Sequence, residues 1–307
     1  MKSYQAGTVF ALLAALWNAS VGILSKDIFQ YDIPPVSVAF YKCLLALLVL
    51  SVLIVCDRNK LNQVAQLAKS LPQIIACSFC GIFVLYFFET KAYEFTTVSM
   101  VVFVLLGTSA VTSFAFSSYL LKEGKNLHQI AGLCIALMGL GIMYWSNLQQ
   151  GHPQGIVLAG IAGGGYGLFL VLVKKFNFDA TIALLWWLLA FGCLFLLGPF
   201  LASGPTLPAL RMYPSLLVLA LLPTIGGFYC TTKALTLLDA SKVQVIELSE
   251  PLFASLLAFI FLREVLQVNE ATGGILILFA IYISNRSFEY VIARENGIAP
   301  LRDDSNG

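Results

Sequence analysis

Residues 71–93 read LPQIIACSFCGIFVLYFFETKAY, and residues 213–235 read YPSLLVLALLPTIGGFYCTTKAL. The two segments lie 142 residues apart, and each has a proline at its second position and the tripeptide Thr-Lys-Ala near its end. Each is apolar over a length that crosses a hydrocarbon layer of about 30 Å as a helix. The chain therefore contains a long-range repeat of membrane-spanning segments.

Two further pairs of segments extend this repeat in the same order. Residues 126–144 align with residues 267–285 at a shift of 141, and residues 7–26 align with residues 155–174 at a shift of 148. Each half has about five apolar spans, an odd number, so the second half is expected to cross the membrane in the opposite direction. The predicted fold class is all-α and integral to the membrane, with ten transmembrane helices in two inverted five-helix repeats.

The composition agrees with this class. Of 307 residues, 59% are hydrophobic and 11% charged, and the mean hydropathy of +0.87 is too high for a soluble protein. The spans are predicted at residues 6–26, 35–56, 71–90, 95–121, 127–146, 154–174, 180–201, 213–235, 240–262 and 268–285. We assign residues 1–150 to the first repeat, 151–286 to the second, and 287–307 to a cytoplasmic tail that is expected to be disordered. The polar connection 57–70 is expected at the surface.

The placement of charge and cysteine limits the possible functions. Lys and Arg gather in the loops on the N-terminal side of the membrane, which predicts that both termini are cytoplasmic. The net charge of +2 reflects this bias, and no basic patch indicates nucleic acid as a partner. Cys77 and Cys80 form a C-x-x-C string inside an apolar span without a second pair or a nearby histidine, so neither a metal site nor a cofactor is predicted. No constellation of catalytic residues indicates an enzyme.

Charged and polar side chains inside the spans are the main candidates for binding. Gln244, Glu247 and Glu250 share one face of the ninth span, where a carboxyl group could carry a proton or bind a cation. Pro251 removes a backbone donor and is expected to kink this helix. Lys42 in the second span could pair with either glutamate, bind an anionic group of a substrate, or extend to the membrane interface.

Further candidates come from polar and aromatic residues and from glycines. A cavity for an amphipathic solute could be lined by Asn18, Tyr86, Thr108, Tyr166, Trp187 and Tyr229, although such aromatic residues also serve as interfacial anchors or packing. Gly155, Ala159, Gly163 and Gly167 recur every four residues, a pattern typical of close helix packing. The cluster Gly163, Gly164 and Gly165 either packs statically or lets the sixth helix bend as a gate.

The chain resembles the EamA-type members of the drug/metabolite transporter superfamily. The resemblance is carried by Trp17-Asn18, by the Lys-Ala pairs at 91–92 and 233–234, and above all by EPLFASLLAFIFLRE at residues 250–264. It implies ten helices in two inverted repeats, a central cavity and secondary transport across a bacterial inner membrane. Two positions depart from the family pattern: Lys42 stands where arginine is frequent, and residues 107–110 read GTSA where a proline is common, which predicts a straighter fourth helix.

The function predicted from the sequence is alternating-access transport of a small amphipathic metabolite, such as an amino acid or a related compound. The resemblance favours export, and protons are a candidate coupling ion. Uptake or exchange of a nucleoside-containing metabolite is the alternative within the transporter class. A membrane scaffold without transport activity, or an enzyme that modifies lipid, is the alternative of another class. The expected partners are the small-molecule substrate and the lipid bilayer.

Overall fold

The computed structural model of the protein describes residues 2–31, 33–145, 152–263 and 267–295. Across these ranges every regular element is a helix and no strand occurs, which confirms the all-α class. Ten helical stretches follow one another: α1 Lys2–Phe29, α2 Pro35–Val55, α3 Arg58–Ala92, α4 Val98–Leu120, α5 Leu127–Met143, α6 Pro153–Lys175, α7 Ile182–Ala202, α8 Leu210–Leu237, α9 Ala240–Phe261 and α10 Val268–Glu295.

The lengths of these helices fit a membrane protein. Seven of them, α2, α3, α4, α6, α7, α8 and α9, are long and apolar enough to cross a bilayer. Shorter apolar helices lie in α5 and in the first part of α10, and α1 has 28 residues. The protein is thus multi-pass. That all ten helices cross the membrane, and that the second half is inverted, stay predictions.

Helices α3 and α10 are longer than the spans predicted for them. The polar connection before α3 is helical over Arg58–Leu67, and Asp57 caps it by accepting a hydrogen bond from the Asn59 backbone N–H at 3.0 Å. That bond lowers the pKa of the Asp57 carboxyl. None of the ten residues of this segment is buried, in keeping with a surface position. Helix α10 continues to Glu295, and residues 296–307 of the predicted tail lie outside the described residues.

The helices of the two halves interleave. Helix α1 packs against α8 and α9, and α6 packs against α3 and α4. Helix α2 packs against α7, and α5 packs against α10. Because each of these pairings joins a first-half helix to a second-half helix, the halves share one core and do not form separate bodies. Helix α1 and its counterpart α6 each pack against the third and fourth helices of the opposite half, as expected when the two halves are related.

The four-residue spacing of small residues on α6 brings this helix against α4. A Cβ atom on Gly163 would collide with the carbonyl group of Leu105, and one on Gly167 would lie 2.9 Å from the backbone nitrogen of Ser113. Larger residues would therefore push the two helices apart. The packing supports the interpretation of this spacing as a close helix contact.

Local irregularities recur at matching positions of the two halves. Helix α3 contains a π-helical turn at Phe79–Val84, and α8 contains one at Ala220–Gly227, within the two segments that first revealed the repeat. Helices α4 and α9 are followed by residues with left-handed backbone, Lys122 at φ 53° and Arg263 at φ 55°. These irregularities support a common local fold in the two halves.

Candidate functional site

A cavity of about 200 Å³ lies between helices of both halves. Five of the residues singled out from the sequence line it: Asn18, Lys42, Tyr86, Tyr166 and Glu250, together with the helix-breaking Pro251. Apolar side chains such as Leu105 and Phe228 complete part of the wall. The cavity thus combines charged, aromatic and apolar groups, as a site for an amphipathic solute requires.

Lys42 turns its ammonium group into the protein. The side chain is 5% exposed, and its Nζ atom lies 3.6 Å from the centroid of the Tyr86 ring in a cation–π contact. Among the residues that the structure describes, no carboxylate lies within 4.0 Å of this nitrogen. The lysine therefore does not extend to an interface, and it does not pair with Glu247 or Glu250 in this state. Its charge is available to the cavity.

Three carboxyl groups line the same cavity. Glu89 on α3 accepts a hydrogen bond from the Tyr93 hydroxyl at 2.9 Å. Glu270 at the start of α10 accepts one from the Gln267 backbone N–H at 3.1 Å. Glu250 is half-buried and has no hydrogen-bond partner in the part of the chain that the structure describes. Glu250 is thus free to bind a ligand.

Sequence reasoning missed Glu89, Glu270 and Tyr144 as parts of this wall. Glu89 lies inside an apolar span, so the argument that selected Glu250 applies to it equally. Glu270 stands at a helix start, where acidic residues are common for reasons of helix stability alone. For Tyr144 the sequence holds no signal, because tyrosines near span ends also serve as interfacial anchors.

Helix α9 is broken where Pro251 was expected to kink it. The helix runs over Ala240–Glu247, is interrupted by a turn, and resumes at Glu250–Leu257 with the proline in its first turn. Ser249 lies in the turn and donates its hydroxyl to the Ile246 carbonyl at 2.7 Å. The break places Glu250 at the start of a new helical segment, facing the cavity. Its role in gating stays a prediction.

Glu247 and Gln244 lie behind the cavity wall. The Glu247 carboxylate is 1% exposed and accepts hydrogen bonds from the Tyr166 hydroxyl at 2.8 Å and from the Thr231 hydroxyl at 2.6 Å. Gln244 is also 1% exposed, and within the described residues its amide has no hydrogen-bond partner. These two predicted binding residues therefore do not contact the cavity in this state.

Three other candidates lie away from the cavity. Thr108 donates its hydroxyl to the Val104 carbonyl at 2.7 Å and packs against α6. Trp187 donates to the Val64 carbonyl at 3.0 Å and stacks on a neighbouring ring of α7, so it holds the surface segment of α3 in place. Tyr229 is half-buried and packs against the core. Because the helices are apolar on most sides, the sequence does not indicate which aromatic side chains point toward the cavity.

The glycine cluster of α6 lies in tight packing. A Cβ atom on Gly165 would lie 2.6 Å from Cγ1 of Val84, and Gly163 contacts α4 as described above. A Cβ atom on Gly164, in contrast, would lie at an ordinary contact distance of 3.9 Å from the Thr112 hydroxyl. Helix α6 is continuous from Pro153 to Lys175. The observed contacts are those of static packing, and a bend at these glycines during gating stays a prediction.

Hydrogen bonds join the end of α4 to the start of α9 in a group that we call the clasp: Ser117, Glu123, Lys125, Ala240 and Ser241. The Lys125 ammonium donates to the hydroxyls of Ser117 at 2.6 Å and Ser241 at 2.8 Å, and it pairs with Glu123 at 3.0 Å. The Ala240 backbone N–H donates to Glu123 at 3.3 Å. Burial lowers the pKa of the Lys125 ammonium, and the Glu123 charge opposes that shift.

The cavity and the clasp lie toward opposite ends of the same two helices. Val98 and Ser99 at the start of α4 line the cavity, as does Ala258 near the end of α9. The clasp closes the other end of both helices. A solute in the cavity therefore has the clasp between it and that side of the protein.

Comparisons with known proteins agree with this architecture. The sequence profile described as the EamA-like transporter family matches residues 5–145 and 153–286. An "Uncharacterized transporter" of Archaeoglobus fulgidus is 26% identical over 287 residues, which cover 90% of this chain and 96% of that protein. Another from Clostridium kluyveri is 25% identical over 301 residues, covering 92% and 93%. A solved crystal structure aligns with a TM-score of 0.75 at 15% identity over 94% of this chain and 99% of its own, which shows a shared fold alone.

Proposed function

Since the chain belongs to the EamA-like transporter family, we propose that it is a secondary transporter for a small zwitterionic metabolite such as an amino acid. The observation that carries this proposal is the pair of opposite charges in the cavity. The Lys42 ammonium is available to a carboxylate of the substrate, and the unpartnered Glu250 carboxylate is available to an ammonium group.

The rest of the wall fits the apolar body of such a solute. Tyr86, Tyr166 and Phe228 form a cluster of rings around the cavity, with Tyr86 and Phe228 in an edge-to-face contact at 6.0 Å. The volume of about 200 Å³ lies below the roughly 300 to 1,000 Å³ of pockets for drug-sized ligands. These features favour a metabolite of amino-acid size over a larger compound.

The clasp and the cavity support alternating access. Basic residues gather at the clasp end of the protein, which by the positive-inside rule is the cytoplasmic end: Lys122, Lys125, Lys174, Lys175 and Lys242. This state is then outward-facing, with its cytoplasmic side closed. We place the protein in the inner membrane of a prokaryotic cell with both termini in the cytoplasm. Export is the direction that the family resemblance favours.

Binding can be tested with three ligands that differ in one group each: phenylalanine, phenethylamine without the carboxylate, and 3-phenylpropionate without the ammonium. Each is added to the purified protein, and thermal unfolding is followed, because a ligand that binds only the folded state raises its apparent stability. Proteoliposome counterflow then reports transport of each compound that binds. A panel of other amino acids and nucleosides covers different side chains and the nucleoside alternative.

The zwitterion should bind most tightly to the wild type. Lys42→Ala should lower the ratio of phenylalanine affinity to phenethylamine affinity by about tenfold or more. Glu250→Gln should lower the ratio of phenylalanine affinity to 3-phenylpropionate affinity by about the same factor. Lys60→Ala, at a partly exposed ion pair with Asp57 outside the cavity, is the matched control. Counterflow of nucleosides alone would contradict the amino-acid assignment. Binding and counterflow of no compound would favour a scaffold or a lipid-modifying enzyme.

A further inference from the structure

The carboxyl group of Glu247 is held in a closed environment beside the cavity. Its two hydrogen-bond donors, Tyr166 and Thr231, are neutral hydroxyl groups. Among the described residues, no lysine or arginine nitrogen lies within 4.0 Å of it. A charged carboxylate buried without a cation is costly, whereas a neutral carboxyl group is tolerated in the same place. The site is therefore suited to gaining and losing a proton.

Tyr166 connects this carboxyl group to the cavity. Its ring forms part of the cavity wall, and its hydroxyl group donates to Glu247 and lies 3.4 Å from the Thr231 hydroxyl. A solute that displaces the ring also displaces the hydroxyl from Glu247. Occupancy of the cavity and the hydrogen bonding of Glu247 are thus joined through one side chain.

A polar path continues from Glu247 toward the clasp. Ser241, Gln244 and Glu247 lie three residues apart on one face of α9. Ser241 belongs to the clasp, and Gln244 is buried without a partner among the residues described. The amide of Gln244 is thus positioned to relay hydrogen bonds between Glu247 and the clasp end when the clasp opens.

We propose that Glu247 is a proton-binding site separate from the substrate cavity, and that Tyr166 couples proton binding there to occupancy of the cavity. This inference rests on the transport function proposed above. A proton from the cavity side adds to the Tyr166 oxygen while the original hydroxyl proton passes to Glu247. The tyrosine ends neutral and the carboxylate becomes a carboxyl group. Release toward the clasp end restores the carboxylate, so protons move inward as the substrate moves outward.

The neighbouring titratable groups come from several helices. Tyr166 on α6 donates to Glu247, Cys230 on α8 precedes the second donor Thr231, and Glu250 lies three residues further along α9. Glu89 on α3 lines the cavity together with Glu250. None of these groups carries a positive charge when protonated. Their influence does not supply a counter-ion to Glu247, so the proton itself is the species that neutralises this carboxylate.

The test separates exchange from proton-driven transport in proteoliposomes. Counterflow at equal pH, accumulation driven by a pH gradient, and proton movement reported by an entrapped pH-sensitive dye are measured for each variant. Glu247→Gln should lose gradient-driven accumulation and substrate-dependent proton movement while counterflow is reduced far less. Tyr166→Phe, which keeps the ring, should weaken the coupling in the same sense. Glu94→Gln, at an exposed ion pair with Lys91, is the matched control and should behave as the wild type.

Two results would overturn the proposal. The first is gradient-driven accumulation by Glu247→Gln at the wild-type level. The second is loss of counterflow and driven transport to the same extent in a variant with wild-type thermal stability, which would place Glu247 in the substrate site. If the wild type exchanges nothing, the transport proposal fails by itself. Infrared spectroscopy then tests proton binding by Glu247 without transport. A carboxyl band that changes with pH in the wild type should be missing in Glu247→Gln.

Discussion

Helices α4 and α9 stand at matching positions of the two halves but carry different chemistry. Helix α4 is unbroken from Val98 to Leu120. Its Ser109 aligns with Glu250 at the 141-residue shift, and the Ser109 hydroxyl donates a hydrogen bond to the Leu106 carbonyl at 2.9 Å. Helix α9 is interrupted by a turn and carries a line of polar side chains. The absence of proline in GTSA predicted a straighter fourth helix, and α4 is continuous through these residues.

The difference indicates a division of work between the halves. The first half contributes Lys42 and Glu89 to the cavity from α2 and α3, while its fourth helix serves as a rigid support for α6. The second half places Glu247 and Glu250 on the helix that is broken. If this interpretation is correct, the same substitution should have unequal effects in α4 and α9.

Removal of the aligned side chains should give the largest contrast. Under the proposed function, Glu250→Gln removes the charged partner of a substrate ammonium and should weaken binding of a zwitterion by about 10- to 100-fold. Ser109→Ala removes only a bond within α4 and should leave affinity unchanged. Thermal stabilisation titrated with ligand measures both. Equal losses of affinity in the two variants would mean that α4 and α9 contribute equally to ligand binding.

The rigid contact between α4 and α6 predicts a large effect on stability. Gly163→Ala forces a methyl group against the Leu105 carbonyl and should lower the free energy of unfolding by about 1 to 3 kcal/mol. Gly164→Ala has room and should be neutral or gain up to about 1 kcal/mol from helix propensity. Equilibrium unfolding in detergent compares the pair. A stable Gly163→Ala variant with altered transport would instead favour the bend in α6.

The clasp predicts an intermediate effect on conformation. Glu123→Ala removes the acceptor of the Ala240 N–H and leaves Lys125 without its carboxylate, at a cost of about 1 to 3 kcal/mol to the closed state. A cysteine introduced at Gln244 should then react faster with a polar thiol reagent added from the clasp side. Glu94→Ala serves as the control. Unchanged labelling would show that the clasp does not govern access.

Pro251 should give the smallest effect, mainly on rate. The proline lies in the first turn of its segment, where it is tolerated, so Pro251→Ala should change stability by less than about 1 kcal/mol. If the broken helix moves during the cycle, the added backbone donor should slow maximal transport several-fold without changing affinity. Ala110→Pro, the aligned exchange in α4, should disrupt an intact helix instead. Transport kinetics and thermal unfolding distinguish these outcomes.

The sequence predicted the helical class and the positions of most spans because apolar length and turn residues determine both. It also located the break at Pro251, since proline has a direct effect on backbone hydrogen bonding. It did not separate Tyr166, which lines the cavity, from Trp187, which holds a surface segment. In a membrane, apolar residues surround a helix on all sides, so periodicity does not reveal the inward face. The clasp was missed because its residues are ordinary residues of helix ends and of a loop, and the sequence does not show which helix ends meet.

The π-helical turns at Phe79–Val84 and Ala220–Gly227 affect how these helices tolerate deletions. Each such turn takes up one residue more than a regular α-helix does over the same rotation, so the part that follows keeps the orientation that it would have in a regular helix one residue shorter. Tyr86 and Glu89 follow the first turn, Phe228 follows the second, and all three face the cavity. Loss of one residue from either turn would therefore restore a regular α-helix and leave these groups facing the cavity, whereas loss of a residue from a regular part of the same helix would rotate everything beyond it by about 100°. The two π-helical turns are thus the places where these spans best tolerate the loss of a residue.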